Sequence, residues 1–403
     1  MKIKYLAVAV AAAFAAPVAQ ADVTIAGTIA PGMVYTNNGS GEAVTTATGA
    51  AAAATQSSSS FAPGNASNRF SITSTEDMGN GMTAGAFVDV RGQGGGFDNY
   101  NSTGNTQTGL VAFRYGASIG GGWGKFEFGR NFSPYTRTLI DNDPHGGAIF
   151  FAPFVIMGQA GGQGLWVNGG AGSTGHAFFR TGTGAHYFSP DINGFSFKAS
   201  YMVEGAKTAT NKEVSEFGFS ADYAPADMPF YLGAAYSNRK NANGVAPMST
   251  AFNTAQTVPV GVSSTDTVGL IGGGVKFGDL KVGVWLEQVK YKTDGVTAGL
   301  SELKRNALWI PANYTLPTGT LGAAYLMAGD LKGSNASAGG FAGGDTGAQS
   351  FQVSYIHNLS KQTQPIIMWQ YVSSDKKGIY AGNGDNGFGA TQNTVFIGLQ
   401  HSF

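Results

Sequence analysis

Residues 195–223 read FSFKASYMVEGAKTATNKEVSEFGFSADY, and their alternation decides the fold. Phe195, Phe197 and Tyr201 share one face of the first run, and Phe217, Phe219 and Tyr223 share one face of the second. The opposite faces carry Ser196, Lys198, Ser200 and Glu204, then Glu216, Ser220 and Asp222. A period of two with one apolar face marks a half-buried strand. The charged face needs water, which a bilayer core does not supply. An apolar face toward lipid and a charged face toward a water-filled interior meet both needs, as in a transmembrane β-barrel. A soluble sandwich or jelly roll would bury the same apolar faces in a core, and the loop spacing counts against it.

The same rhythm runs along the chain. In 23–35 one face carries Val23, Ile25, Ile29, Met33 and Tyr35, and the other Thr24, Ala26, Thr28 and Ala30. A low-complexity loop is expected over 36–66. Strand pairs follow at 68–76 with 82–91 and at 109–119 with 125–130. Further strands are expected at 178–188, 195–204, 214–223, 230–239, 265–277, 280–292, 302–314, 320–330, 349–357, 365–374 and 392–403. The count is about 16. Short turns such as Gly278-Asp279, a plausible two-residue hairpin link, alternate with long loops throughout. Short periplasmic turns and long external loops give a membrane barrel that asymmetry.

Composition agrees. The 403 residues include no Cys, 62 Gly and 12% charged side chains, with 24 Lys+Arg against 24 Asp+Glu. That charge fraction is about half the ordinary soluble value. Past the N-terminus no run approaches the roughly 20 apolar residues of a membrane helix. Neutral balance argues against nucleic acid. The absence of Cys removes disulfides, Cys metal sites and Cys nucleophiles. Residues 1–21 read as a secretory signal: Lys2 and Lys4, an apolar region over 5–16, and the cleavage site Ala19-Gln20-Ala21. One barrel domain is then expected over 22–403.

The longest interruption is 132–177, between the fifth and sixth strands. A long segment of this kind in a compact domain is usually functional. It holds Arg137, Asp141, Asp143, His145 and His176, and an unusually apolar run over 148–157. That run either packs on the barrel wall or a subunit contact, or lines the channel.

Several pieces resemble the general diffusion porins of Gram-negative outer membranes. They are Val23-Thr-Ile-Ala-Gly-Thr28, Asn68-Arg-Phe-Ser-Ile-Thr-Ser-Thr-Glu-Asp-Met-Gly79, Gly121-Gly-Trp-Gly-Lys-Phe-Glu-Phe-Gly-Arg-Asn131, Arg180 with Tyr187-Phe-Ser-Pro190, and the last residue Phe403. The resemblance covers essentially the whole mature chain. It implies an all-β, sixteen-stranded antiparallel barrel, assembled as a homotrimer in outer-membrane lipid and lipopolysaccharide. It implies a third external loop folded inward as the constriction, passage of ions and small hydrophilic solutes, and no cofactor. The final strand, with Leu399, His401 and Phe403 on one face, closes the barrel, and Phe403 resembles the family's signal to the barrel-assembly machinery.

Strand parity selects the inward charges. With Phe70 and Ile72 outward, Arg69 points in. With Val88 and Val90 outward, Asp89 and Arg91 point in. With Val111, Phe113 and Tyr115 outward, Arg114 points in. With Phe179 and Tyr187 outward, Arg180 and His186 point in. The resemblance sets such a basic patch opposite loop acids, here Asp141 and Asp143. It also sets Arg130, which shares a face with Phe126 and Phe128, near the trimer axis as a loop anchor. Thr183 and His186 stand where the family usually has Asn and often has Arg, which weakens an inference of strong anion selectivity. The five His have no metal-ligand spacing, and no nucleophile elbow or phosphate loop is present, so no enzyme is expected. Two rivals keep the same architecture: a substrate-selective channel, and a structural or adhesive barrel.

Overall fold

The computed structural model describes residues 22–45, 51–66, 68–93, 109–145, 153–158, 183–204, 212–241, 262–296, 300–335, 344–381 and 387–403. The expected signal segment, His176 and Arg180 lie outside these residues. Sixteen antiparallel strands close into one barrel. They are β1 (Asp22–Ile29, continued as Pro31–Asn38), β2 (Ser58–Asn65, continued as Arg69–Gly79), β3 (Met82–Gln93), β4 (Gly109–Gly121) and β5 (Gly124–Arg130). Next come β6 (Thr183–Phe188), β7 (Phe195–Glu204), β8 (Val214–Tyr223), β9 (Phe230–Lys240), β10 (Ser264–Phe277) and β11 (Leu280–Thr293). The last five are β12 (Leu300–Leu316), β13 (Gly319–Ala328, continued as Lys332–Asn335), β14 (Ala348–His357), β15 (Thr363–Ser374) and β16 (Thr391–Ser402).

Every strand pairs with its neighbours in sequence, and β16 returns to β1: Ile29 faces His401, Gly32 faces Gly398 and Asn38 faces Gln392. Closure leaves no strand edge for lipid to face, and only a closed sheet meets its backbone hydrogen bonds in hydrocarbon. The seam ends at Phe403, which donates its N–H to Gly27 O at 3.0 Å and accepts from Gly27 N at 2.9 Å. The ring of Phe403 lies over Gly27, where a Cβ would collide with it. Links on one rim are short (80–81, 122–123, 278–279, 317–318), and those on the other are longer, 131–182 most of all.

Two local readings change. Ser58–Asn65, expected as loop, is strand paired with Pro31–Asn38. Its Ser, Gly and Pro content hides it, but backbone pairing against β1 carries it. Both β1 and β2 break at one level, where the Asn68 side chain accepts the Ala30 N–H at 2.6 Å. In β4 a register shift opposite Asp89/Val90 leaves Phe113 as an extra residue. A bulge of this type reverses parity. Phe113 therefore does not face out; it is buried against Phe132, with ring centroids 5.5 Å apart.

The two faces separate cleanly elsewhere. Val23, Ile25, Tyr201, Leu286, Val353 and Ile397 are exposed on the outer face. Inside, a buried apolar cluster joins the third external loop to the inner wall of β9–β15. From the loop come Tyr135, Leu139 and Phe154 to Met157; from the wall come Tyr231, Leu270, Trp285, Val289, Trp309 and Leu326. The barrel interior is thus filled on one side.

Candidate functional site: the channel constriction

The loop between β5 and β6, a long interruption in the strand pattern, begins with a helix. α1 (Pro134–Asp141) starts at Ser133, whose hydroxyl accepts the Thr136 N–H, with Pro134 in the first turn. Ser before Pro is a good start signal: Ser caps the free N–H groups and Pro needs none. Pro134 fits against Gly218 of β8, where a Cβ would stand 2.8 Å from its Cδ.

At the loop's root, Arg114 Nε donates to Asp89 Oδ2 at 2.6 Å. Asn131 Oδ1 accepts from Arg114 Nη1 at 3.3 Å and Arg137 Nη2 at 3.1 Å. Asn131 in turn donates to Glu127 at 2.5 Å. The Phe132 ring lies 5.0 Å from the Arg114 guanidinium and 5.2 Å from that of Arg137. Burial, with Arg114 beside it, pulls the Arg137 pKa below the usual arginine value.

At the far end of α1, Asp141 Oδ2 lies 3.6 Å from Lys198 Nζ, which also holds Asp222 at 2.8 Å. Lys281 Nζ donates to Asn142 Oδ1 at 3.1 Å and stands 4.5 Å over the Tyr231 ring. The ion pair of Asp141 is therefore with a lysine of β7, and that of Arg114 is with Asp89 on the neighbouring strand. Asp143 turns back on its own loop, accepting the His145 N–H at 3.0 Å. His145 is buried, with Nδ1 2.8 Å from Ser354 Oγ on β14. Burial, partly offset by Gln352, pulls its pKa down from 6.5 to about 3. Gly322 of β13 makes room for this tip, since a Cβ there would stand 2.7 Å from Pro144 O.

The returning limb is the most firmly held. Glu287 of β11 accepts from Tyr135 Oη, from Gly158 N at 2.8 Å and from Arg305 Nη2 at 2.8 Å. Arg305 of β12 also donates to Ile156 O at 2.7 Å and to Tyr380 Oη at 3.1 Å. Both charged side chains have no exposed surface. A buried ion pair is tolerable only when its remaining valences are met, and here loop backbone meets several of them. The apolar segment 154–157 packs on the wall, with Phe154 4% and Met157 0% exposed. Residues 148–152 of that run lie outside the described residues.

The remaining expected residues are placed as follows. Arg69 is exposed opposite Thr28, on the face away from Ile72. Arg91 lies in β3 opposite Val111, but its side chain is not among those described. His186 is buried facing inward, in register with Glu127 and Ser200. Arg130 ends β5 between Tyr115 and Thr183. Leu399 is exposed on the outer face, and His401 Nδ1 lies 3.0 Å from Thr363 Oγ1. Lys281, Glu287 and Arg305 have no place in the sequence expectations, and Lys198 is expected there only as water-facing, not as a partner of the constriction loop. Glu287 and Arg305 carried a signal: each is the charged residue on an inner face otherwise bearing Trp285, Val289, Leu303 and Ala307. Among the described residues no cluster of His, Asp and Glu could hold a metal ion.

A closed, lipid-faced barrel narrowed from within by one of its own external loops defines a channel of the outer-membrane type. The chain belongs to the Gram-negative porin family, whose model matches residues 7–377. It is 26% identical over 418 residues to outer membrane porin protein 32 of Delftia acidovorans, covering 100% of both chains. Its fold matches the anion-selective porin from Comamonas acidovorans with a TM-score of 0.70 at 21% identity, covering 95% of this chain and 100% of that one. It also matches the trimer form of OmpT from Vibrio cholerae (0.59, 12% identity, 95% and 99% covered). A third match is OmpF of Salmonella typhi (0.55, 15%, 94% and 97%). The protein is an integral outer-membrane porin, a water-filled channel for passive diffusion of ions and small hydrophilic solutes.

Proposed function

We propose that the chain works as a homotrimer of diffusion channels whose eyelet lies between α1 and the inner wall of β3–β8, with a preference for anions. The observation that carries this reading is the imbalance of partnered charge on the water-facing side. Four acids there sit beside cations: Asp89 with Arg114, Glu127 with Lys125, Asp141 and Asp222 with Lys198. Among the described residues, Arg69, Lys276 and Lys281 make no carboxylate ion pair within 4.0 Å, nor does Arg137, though Asp141, Glu127 and Asp89 attract it from farther away. Cations without a carboxylate ion pair along the water path raise the local concentration of anions. Trimeric assembly is supported by the fold match to a trimer form of OmpT. Arg130, on the outward rim between β4 and β6, is then a subunit or loop anchor. Outer-membrane lipid, lipopolysaccharide and the barrel-assembly machinery are the partners this reading requires, with Phe403 as the assembly signal. Diffusion requires no catalytic group.

Reconstitution in planar bilayers tests it. Large open steps are expected, and in a salt gradient a reversal potential of the anion-selective sign. Absent steps would favour a plugged structural barrel, and a cation-selective potential would overturn the proposed preference.

A further inference from the structure

We infer that Arg305 is a positioning residue that ties the constriction to the last external loop, so that the outer surface of the protein sets the state of the eyelet. The inference rests on the channel reading but concerns a linkage that the reading does not need. Three elements meet on this one guanidinium. Nη2 holds Glu287 of β11 and the backbone oxygen of Ile156 in the constriction loop, and Nη1 holds the hydroxyl of Tyr380 in the loop between β15 and β16. Tyr380 has no exposed surface and packs in the same cluster as Ile156 and Met157. Its own loop is stiff at that point. Tyr380 N donates to Ser374 Oγ at 2.9 Å, and the outer end of the loop is tied to the first external loop through Glu42 N to Phe388 O at 2.8 Å and a Lys376–Glu42 ion pair at 3.4 Å.

A path of bonds that does not need the exposed Lys376–Glu42 pair runs from Glu42, through its backbone bond to Phe388 and the Gly389 N to Gly378 O bond at 3.0 Å, to Tyr380, Arg305 and the backbone of the constriction loop. Such a path transmits force only if its links are few and buried, because a solvated link exchanges partners with water. Among the described residues, Arg305–Tyr380 is a buried polar link joining the two loops. Removing the Tyr380 hydroxyl leaves the loop on the wall, still held by Glu287, but breaks this polar bond to the outer loop and leaves only ring packing between them. A pull or a bound macromolecule on the first and last loops would then reach the eyelet only through that packing.

The chain has no Cys, so a single cysteine is a clean reporter. In Met157→Cys the thiol starts buried, and its labelling by a small charged thiol reagent in proteoliposomes reads opening of the loop. Adding Tyr380→Phe should raise the labelling rate about ten-fold, the opening expected from losing one hydrogen bond to a charged group. It should also add brief closures to single-channel records, with the thermal unfolding of the barrel unchanged. Arg305→Lys should raise labelling at least as much, since an ammonium cannot span Glu287, Ile156 O and Tyr380 Oη as the guanidinium fork does. An unchanged labelling rate in both variants overturns the inference. If the parent conducts nothing, the channel reading fails, while labelling still tests the linkage.

Discussion

The inner wall of this barrel has two unlike halves. On β10–β13 the inward side chains are largely apolar, and Trp285, Trp309, Leu270 and Leu326 pack under the constriction loop. On β3–β8 they are charged or hydroxylic, and Asp89, Arg114, Lys198 and Asp222 face the water path in ion pairs. Strands of the same barrel thus follow two patterns: apolar outside and polar inside on one half, apolar on both faces on the other. A channel needs both. The charged half gives the water column its field, and the apolar half gives the loop somewhere to stand. Without that second core a long loop in a wet lumen would lose more chain entropy than its polar contacts could offset.

The comparison breaks most visibly at Arg305. Arg305→Met leaves Glu287 buried and unpaired, and should cost about 3–5 kcal/mol of barrel stability. Combining it with Glu287→Leu should restore most of that loss, read as the detergent-denaturation midpoint. A single variant as stable as the parent would mean that water reaches this half. His145 gives a smaller effect of known sign. Its folded pKa of about 3 lies below its ordinary 6.5, so the undocked loop binds more protons between these values. Docking is fully supported above pH 6.5 and weakens as pH falls toward 3. Closures should become more frequent at pH 4 than at pH 7, and His145→Gln should flatten that dependence. The smallest change in stability belongs to the charged half. Lys198→Gln removes a partly exposed pair worth roughly 0.2–1 kcal/mol, leaving the unfolding temperature nearly unmoved. It frees Asp141 and Asp222, and the reversal potential should shift toward cations. If Lys198→Gln destabilised the barrel as much as Arg305→Met, the two halves would not differ in the way described.

Strand number, turn positions and lumen polarity were legible because a period of two is a local signal. Phe195 and Lys198 announce their faces within four residues. Phe113 was misread because a bulge depends on the partner strand, here the shift opposite Asp89/Val90, and no local pattern marks it. Ser58–Asn65 was missed because its composition is that of a loop. The members of the basic patch could be chosen one strand at a time, but their partners could not. Asp141 meets Lys198 because a helix of this length, started at Ser133, ends beside β7. The resting place of the loop was half-written in the chain. Strands such as Val284-Trp285-Leu286, apolar on successive residues, have no water-facing side, so something inside the barrel has to cover them.

The bonds between Gly27 and Phe403 join residues almost a whole chain apart. A chain stopped before β16 is therefore not a slightly smaller channel. It is an open sheet with one edge of β1 and one edge of β15 left unpaired, a form that neither membrane nor periplasm accepts. Insertion has to wait for synthesis to finish, and a truncated product advertises itself through two bare edges for binding or degradation by quality control.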